Sequence, residues 1–289
     1  MTINIGGLTL KNPFTTASGT FGSGRELAAL WAERGIPLNV LGAVTTKGVS
    51  LEPWPGNDGV RVAETASGLL NSIGLQNPGV EAFCAKDLAW LATQDVPVIA
   101  NVSGHAEADY AAVIRRLDRE PAVSAYELNI SCPNVDSGGM AFGVDPVAAA
   151  RVTAACRAAT ARPLIVKLTP NVTDITVIAR AAVDAGADAL SLINTVAGLA
   201  LDPQTGQPVF DRGVAGLSGP AIKPIALYAV ARVHAAVAVP LIGMGGITTG
   251  QDVRDFLAAG ATAVAVGTAT FTDPFTLPRL IAEWTHPSA

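Results

Sequence analysis

Eight short apolar runs, each followed by a stretch of helical periodicity, constrain the fold of this 289-residue chain more than any other feature. They occupy residues 13–17, 40–46, 97–102, 125–130, 163–168, 189–193, 240–244 and 263–267. Strands apolar on both faces belong to parallel sheets covered by helices. Eight such strands with helical crossovers predict an α/β fold of the TIM (β/α)8 barrel class. An open doubly wound sheet fits less well, because the phosphate-type glycine loops come late in the chain and not after the first strand. Helix signals support the alternation: Asp145-Pro146 caps a helix over 147–160, Thr173 opens one that stops at Gly186, and Thr249 opens one that stops at Gly260. No linker or low-complexity tract interrupts residues 1–289, so a single domain is expected.

Composition narrows the partners. A net charge of −5 without a basic run argues against nucleic acid and anionic membrane surfaces. The start Met1-Thr2-Ile3-Asn4-Ile5 lacks the charged segment and apolar stretch of a signal peptide, and no apolar run reaches membrane-spanning length. A cytoplasmic protein is expected. Cys84, Cys132 and Cys156 are odd in number and far apart, which suits neither a disulfide framework nor the four thiolates of an iron–sulfur cluster. His105, His234 and His286 show no metal-ligand spacing, so no metal site is expected.

The unusual polar residues fall at or just past the carboxyl ends of the expected strands: Ser18, Lys47, Asn101, Asn129, Lys167, Asn194, Gly245 and Gly267. In a barrel those ends share one face, where active sites are built. The octet Glu127-Leu128-Asn129-Ile130-Ser131-Cys132-Pro133-Asn134 runs from an apolar strand into two amides, a hydroxyl and a thiol. Amides suit a planar ligand that both donates and accepts, and a thiol beside it can serve as nucleophile or base. The plainer reading is a packed Cys beside a Pro turn. Lys47 and Lys167 each interrupt an apolar run, which fits either an anion-facing cation or a buried ion pair. Gly245-Gly246 and Gly267-Thr268 allow close approach of backbone N–H groups to a phosphate, although a tight turn would also use glycine. The glycine-rich stretch near 133–143 reads as an active-site lid or as a surface loop.

The octet resembles the catalytic segment of the class 1 dihydroorotate dehydrogenases. Matching segments follow in chain order: Ala17-Ser18-Gly19, Thr46-Lys47-Gly48, Asn71-Ser72-Ile73-Gly74-Leu75-Gln76-Asn77, Val166-Lys167-Leu168, Asn194-Thr195-Val196-Ala197-Gly198, Gly216-Leu217-Ser218-Gly219-Pro220, Gly243-Met244-Gly245-Gly246 and Val266-Gly267-Thr268. Together they cover nearly the whole chain. The resemblance implies FMN held by Ser18, Lys47, Gly48, Asn101, Asn129, Lys167, Ile193, Gly219, Gly245, Gly246, Gly267 and Thr268. Asn101 taken alone would equally well be a strand-end cap. It implies dihydroorotate held by Lys47, Asn71, Ser72, Ile73, Gly74, Leu75, Asn129, Asn134, Asn194 and Thr195, with Cys132 as the base. Asn77, before Pro78-Gly79, reads as a turn residue.

The runs 194–202 and 216–224, with Val62-Ala63-Glu64-Thr65-Ala66-Ser67-Gly68, are similar to the class 1B catalytic subunit. That likeness implies a homodimer joined by electron-transfer subunits carrying FAD and a 2Fe–2S cluster, which pass electrons to NAD. The fumarate-linked class 1A enzymes and a flavin barrel acting on dihydropyrimidines are the neighbouring alternatives. A phosphosugar lyase or aldolase with Lys167 as Schiff-base residue, or a non-catalytic binding barrel, would leave Cys132 among its amides unexplained. The chain departs from the family in a short stretch after Asp273-Pro274-Phe275 and in the loop Gly48-Val49-Ser50-Leu51-Glu52-Pro53.

Overall fold

The computed structural model describes residues 2–130 and 142–285. Strands β1 (Ile3–Ile5) and β2 (Leu8–Leu10) form an antiparallel hairpin. Its turn, Gly6-Gly7, has positive φ at both positions, and Asn4 Oδ1 accepts from Gly7 N. Then follow β3 (Phe14–Thr16), β4 (Val44–Thr45), β5 (Val62–Thr65), β6 (Gly68–Asn71), β7 (Val98–Val102), β8 (Val123–Asn129) and β9 (Leu164–Leu168). The remaining strands are β10 (Ala189–Leu192), β11 (Val196–Leu199), β12 (Val214–Ser218), β13 (Leu241–Met244) and β14 (Ala263–Val266).

Eight of these make one parallel sheet in the order β3-β14-β13-β10-β9-β8-β7-β4, and a parallel bridge between Thr15 and Ala43 brings its two edges together. This is a TIM barrel, built from the eight apolar runs read in the sequence. Alternate residues divide between two cores, as the period of a strand requires. Outward-facing Leu164, Val166 and Leu168 join the large cluster beneath the surrounding helices, while Ile165 joins an inner cluster with Ala43, Ile99, Ala125, Ala189, Ile242 and Ala263. Ile5, Leu8 and Leu10 of the hairpin pack into that inner cluster and close the amino-terminal end. The opposite end is therefore the open one.

A second sheet, antiparallel in the order β11-β12-β6-β5, lies in the loops after β4 and β10. It was not foreseen, nor was the hairpin; both use strands of three to five residues without a long apolar run. Two local expectations are corrected. Only Val44–Thr45 of the 40–46 run is a strand, because Leu38–Val40 is a 3-10 turn. At Gly42 a Cβ would lie 2.3 Å from the Asn12 carbonyl oxygen. The helix Ile175–Asp184 is capped by Asp174, whose Oδ1 accepts from Thr176 N at 3.0 Å, and not by Thr173. The expected caps at Asp145 and Thr249 are present, on the helices Pro146–Arg157 and Gly250–Ala258.

Candidate active site

At the carboxyl ends of the strands, roofed by the antiparallel sheet, lies a cavity of about 780 Å³. That is within the range, roughly 300–1,000 Å³, of small-molecule and cofactor sites. Its chemistry changes along its length.

One end is glycine-lined. Gly245 and Gly246 follow β13, Gly267 and Thr268 follow β14, and Gly219 follows β12. Gly219 and Gly246 adopt φ of +93° and +76°, and a Cβ on either would collide with neighbouring backbone at 2.8 to 2.9 Å. Thr268 Oγ1 donates to Ser218 Oγ at 2.8 Å, tying the ends of β14 and β12 together. Backbone N–H groups exposed by such loops make an anion cradle.

The middle is cationic. Lys167 points inward from β9, is 6% exposed, and its Nζ donates to Ser18 Oγ at 3.3 Å. Lys47 follows β4 and faces the same cavity. Burial, and then repulsion from Lys167, push the Lys47 ammonium below its ordinary pKa. Two lysines with no Asp or Glu among the described lining residues favour an anionic or electron-rich ligand. Asn129 and Ile193 complete this wall, and the Asn129 carbonyl accepts from Tyr110 Oη at 2.9 Å.

The third part lies under the antiparallel sheet. Asn71, at the end of β6, donates from Nδ2 to Gly216 O at 3.0 Å. Ser72, Ile73, Gly74 and Leu75 continue the wall, with positive φ at Gly74 and at Leu75. A non-glycine residue in that region is uncommon and turns its backbone amide in a direction ordinary loops do not reach. Asn57 holds the segment from behind, donating to Ser72 Oγ at 2.9 Å. Asn194 and Thr195 face the segment, and Asn194 Oδ1 accepts from Thr195 N at 2.7 Å.

The structure thus brings together Ser18, Lys47, Asn71, Ser72, Ile73, Gly74, Leu75, Asn129, Lys167, Ile193, Asn194, Thr195, Gly219, Gly245, Gly246, Gly267 and Thr268. Gly48 and Asn101 do not line the cavity. Asn101 is fully buried, donates from Nδ2 to Glu127 Oε1 at 2.6 Å, and has no partner for Oδ1 among the described residues. Gly48 packs against it: a Cβ there would lie 2.9 Å from Asn101 Oδ1. Cys132 and Asn134 lie outside the described residues, as does the stretch 133–143, read as a lid or a surface loop, apart from Phe142 and Gly143. Asn77 anchors a turn, accepting from Ser50 N and Gly79 N.

Sequence reasoning passed over three groups. Glu127, only 2% exposed, accepts from Asn101 and, at 2.7 Å, from Ser191 Oγ, forming a polar layer beneath the cavity. Asn171 clamps the loop after β10 by donating to Thr195 O and accepting from Ala197 N. Arg212 adds a cation to the lining. An acid inside an apolar strand was a readable signal for Glu127; the other two sit in loops and gave none. Among the described residues no three His, Cys, Asp or Glu side chains are grouped to hold a metal ion, and no helix is long and apolar enough to cross a membrane.

The sequence pattern of dihydroorotate dehydrogenase matches residues 1–286. The chain belongs to the dihydroorotate dehydrogenase family. It is 55% identical over 274 residues to the dihydroorotate dehydrogenase B (NAD(+)) catalytic subunit of Pelobacter propionicus, covering 95% of this chain and 88% of that one. The protein of the same description from Anoxybacillus flavithermus is 51% identical, over 98% of this chain and 89% of its own length. Among solved structures, the dihydroorotate dehydrogenase of Eimeria tenella in complex with ferulenol superposes with a TM-score of 0.78. At 22% identity, over 98% of this chain and 83% of that one, this likeness speaks for the fold.

Proposed function

We propose that this protein is the catalytic subunit of an NAD-linked dihydroorotate dehydrogenase, which oxidises dihydroorotate to orotate on the route to UMP. The observation that carries the reading is the cavity itself, where a glycine cradle, two lysines and four carboxamides meet in a member of this family. Relatives at 50–55% identity named as NAD(+)-linked catalytic subunits support the subclass.

The lining fits FMN. Gly219, Gly245, Gly246, Gly267 and Thr268 would receive its phosphate, and a side chain at the crowded glycines would fill the cradle. Ser18, Lys47, Asn129, Lys167 and Ile193 would hold the ring system, with Gly48 and Asn101 in the layer behind. When bound, FMN supplies the acceptor for the C6 hydride of dihydroorotate, its electrons leaving through a partner subunit with FAD and a 2Fe–2S cluster to NAD+. Three cysteines cannot furnish a cluster in this chain, which is consistent with that partner.

The chain's own residues do the rest. Lys167 would present positive charge to the ring system of a bound FMN and so favour its acceptance of electrons. Lys47 and the backbone of Gly74 and Leu75 hold the substrate carboxylate, while Asn71, Asn129, Asn134, Asn194 and Thr195 match the donors and acceptors of the planar ring. Ser72 and Ile73 shape the same wall. Cys132 takes the C5 proton as the C6 hydride departs, so that the C5–C6 double bond forms. A thiol has a reference pKa of about 8.5, so turnover rises with an alkaline pKa that moves in Cys132→Ser. Leu199 and Leu201 are exposed at and just after β11, apolar surface that assembly into a dimer with its electron-transfer subunits would cover.

The test is the visible spectrum of the purified protein, taken anaerobically before and after dihydroorotate. A yellow protein that bleaches, and is then reoxidised by NAD+ only with the partner subunit present, is the expected result. Bleaching followed by direct reoxidation with fumarate would move the protein to the class 1A reaction. A protein that stays colourless after incubation with FMN would overturn the flavin reading.

A further inference from the structure

The loop over 245–249 joins β13 to the helix Gly250–Ala258 and forms the wall of the glycine-lined end. Among the described residues, no backbone carbonyl accepts from the N–H groups of Gly245, Gly246 or Ile247. The next two amides behave differently. Asp252 Oδ2 accepts from Thr248 N and from Thr249 N at 2.8 Å each, and from Thr248 Oγ1 at 2.9 Å. One carboxylate oxygen thus takes up the amides of Thr248 and Thr249, while the preceding three amides, in a stretch that lines the cavity, are given no backbone acceptor among the described residues.

A carboxylate behind an anion cradle would ordinarily repel its ligand. Here it is neutralised locally. Asp252 Oδ1 accepts from Lys223 Nζ at 2.5 Å, and the same ammonium reaches Asp255 Oδ2 at 2.7 Å. Asp252 is 7% exposed; burial alone would raise its pKa, but the Lys223 ammonium and the donors of Thr248 and Thr249 hold the carboxyl down at about 2. Lys223 also begins the helix Lys223–His234, and its backbone touches the loop: a Cβ on Gly246 would lie 2.8 Å from Lys223 Cβ and 3.0 Å from Lys223 N. From the far side Arg279 Nη2 donates to Thr248 O at 3.0 Å. The loop is therefore pinned between two helices by an ion pair that no ligand would touch.

We propose that Asp252, neutralised by Lys223, is the positioning residue that sets the amides of Gly245, Gly246 and Ile247 for the phosphate of a flavin mononucleotide. The discrimination between a phosphorylated and an unphosphorylated flavin then depends on a carboxylate outside the binding surface. This rests on the flavin reading above and deepens it.

The experiment compares binding of FMN and of riboflavin to flavin-free protein, by quenching of flavin fluorescence, in wild type, Asp252→Asn and Lys223→Met. Wild type binds FMN more tightly than riboflavin. Asp252→Asn weakens FMN at least tenfold while riboflavin affinity stays within twofold. Lys223→Met keeps the amide contacts of Asp252 but leaves its charge uncompensated, so FMN weakens more than riboflavin and most strongly at low ionic strength. Should Asp252→Asn fail to fold by circular dichroism, Lys223→Met decides. If the folded variants keep the wild-type preference, the positioning role is refuted and the flavin site stands. If wild type binds both flavins equally, the phosphate assignment itself falls, which is a different failure.

Discussion

Replacing Gly246 by alanine tests whether the glycine cradle is as crowded as its geometry requires. Gly246 has φ +76°, and an added Cβ would sit 2.8 Å from Lys223 Cβ, 2.9 Å from Gly219 O and 3.0 Å from Lys223 N. Holding an L-residue in the left-handed region costs about 1–2 kcal/mol. Forcing a methyl group against backbone adds about 1–3 kcal/mol. The smaller conformational freedom of alanine in the unfolded chain offsets about 0.4–1 kcal/mol. The net is a destabilisation of about 3 kcal/mol, which for a chain of this size lowers Tm by roughly 5 °C. The structure contains its own control: Gly206 has φ +69° and nothing within 4 Å of its added Cβ. Gly206→Ala keeps the φ cost without the crowding, so it loses at most about 1.5 kcal/mol. Urea midpoints and Tm of the flavin-free proteins measure both. Equal losses for the two variants would show that the cradle has room to spare and refute the reasoning. FMN should also stabilise Gly246→Ala less than wild type, because the loop must shift away from Lys223.

Three further outcomes are expected. The unfolded chain holds the Lys47 proton up to its ordinary value of 10.5, whereas burial and Lys167 lower the folded value, so protonated Lys47 weakens the flavin-free fold. Lys47→Met therefore raises Tm at neutral pH, and its advantage fades as pH climbs through the window from the lowered pKa to 10.5, while dihydroorotate no longer bleaches the flavin; a Tm–pH series on both proteins checks the sign. Thr249→Ala removes the acceptor for Asp252 N and half of the capping box of the helix Gly250–Ala258, costing about 1 kcal/mol in urea unfolding. Burial pushes the Cys156 thiol up to about 12 and raises that of Cys84, so iodoacetamide at pH 8 should leave both unmodified in the native protein, and peptide mapping should trace any loss of activity to Cys132.

The antiparallel sheet shows why part of the site escaped the sequence. Strands β5 and β11 are exposed or half-exposed along their lengths and only four residues long, so no run of buried residues marks them. They exist because β6 and β12 pair across some 145 residues, as in the bond from Asn71 Nδ2 to Gly216 O. Depth is the second quantity that pattern alone leaves open. Asn101 and Asn129 both stand at strand ends, yet Asn129 lines the cavity while Asn101 lies in the polar layer below it with Glu127 and Ser191. The register of β7 against β8, which pairs Asn101 with Glu127, decides that.

Local rules were sufficient where the causes are local. Apolar runs of strand length, the caps at Asp145 and Thr249, and lysines and amides at the carboxyl ends of strands are set by neighbouring residues, so the chain by itself determined a barrel and the end on which its polar residues gather. Tertiary structure alone decided which of those residues share a cavity, and it recruited partners with no sequence signal of their own. Asp252 reads as an ordinary first-turn acid until the fold brings Lys223 against it from 29 residues away. Burial and charge act through space, and the chain's order does not contain those distances until the barrel closes.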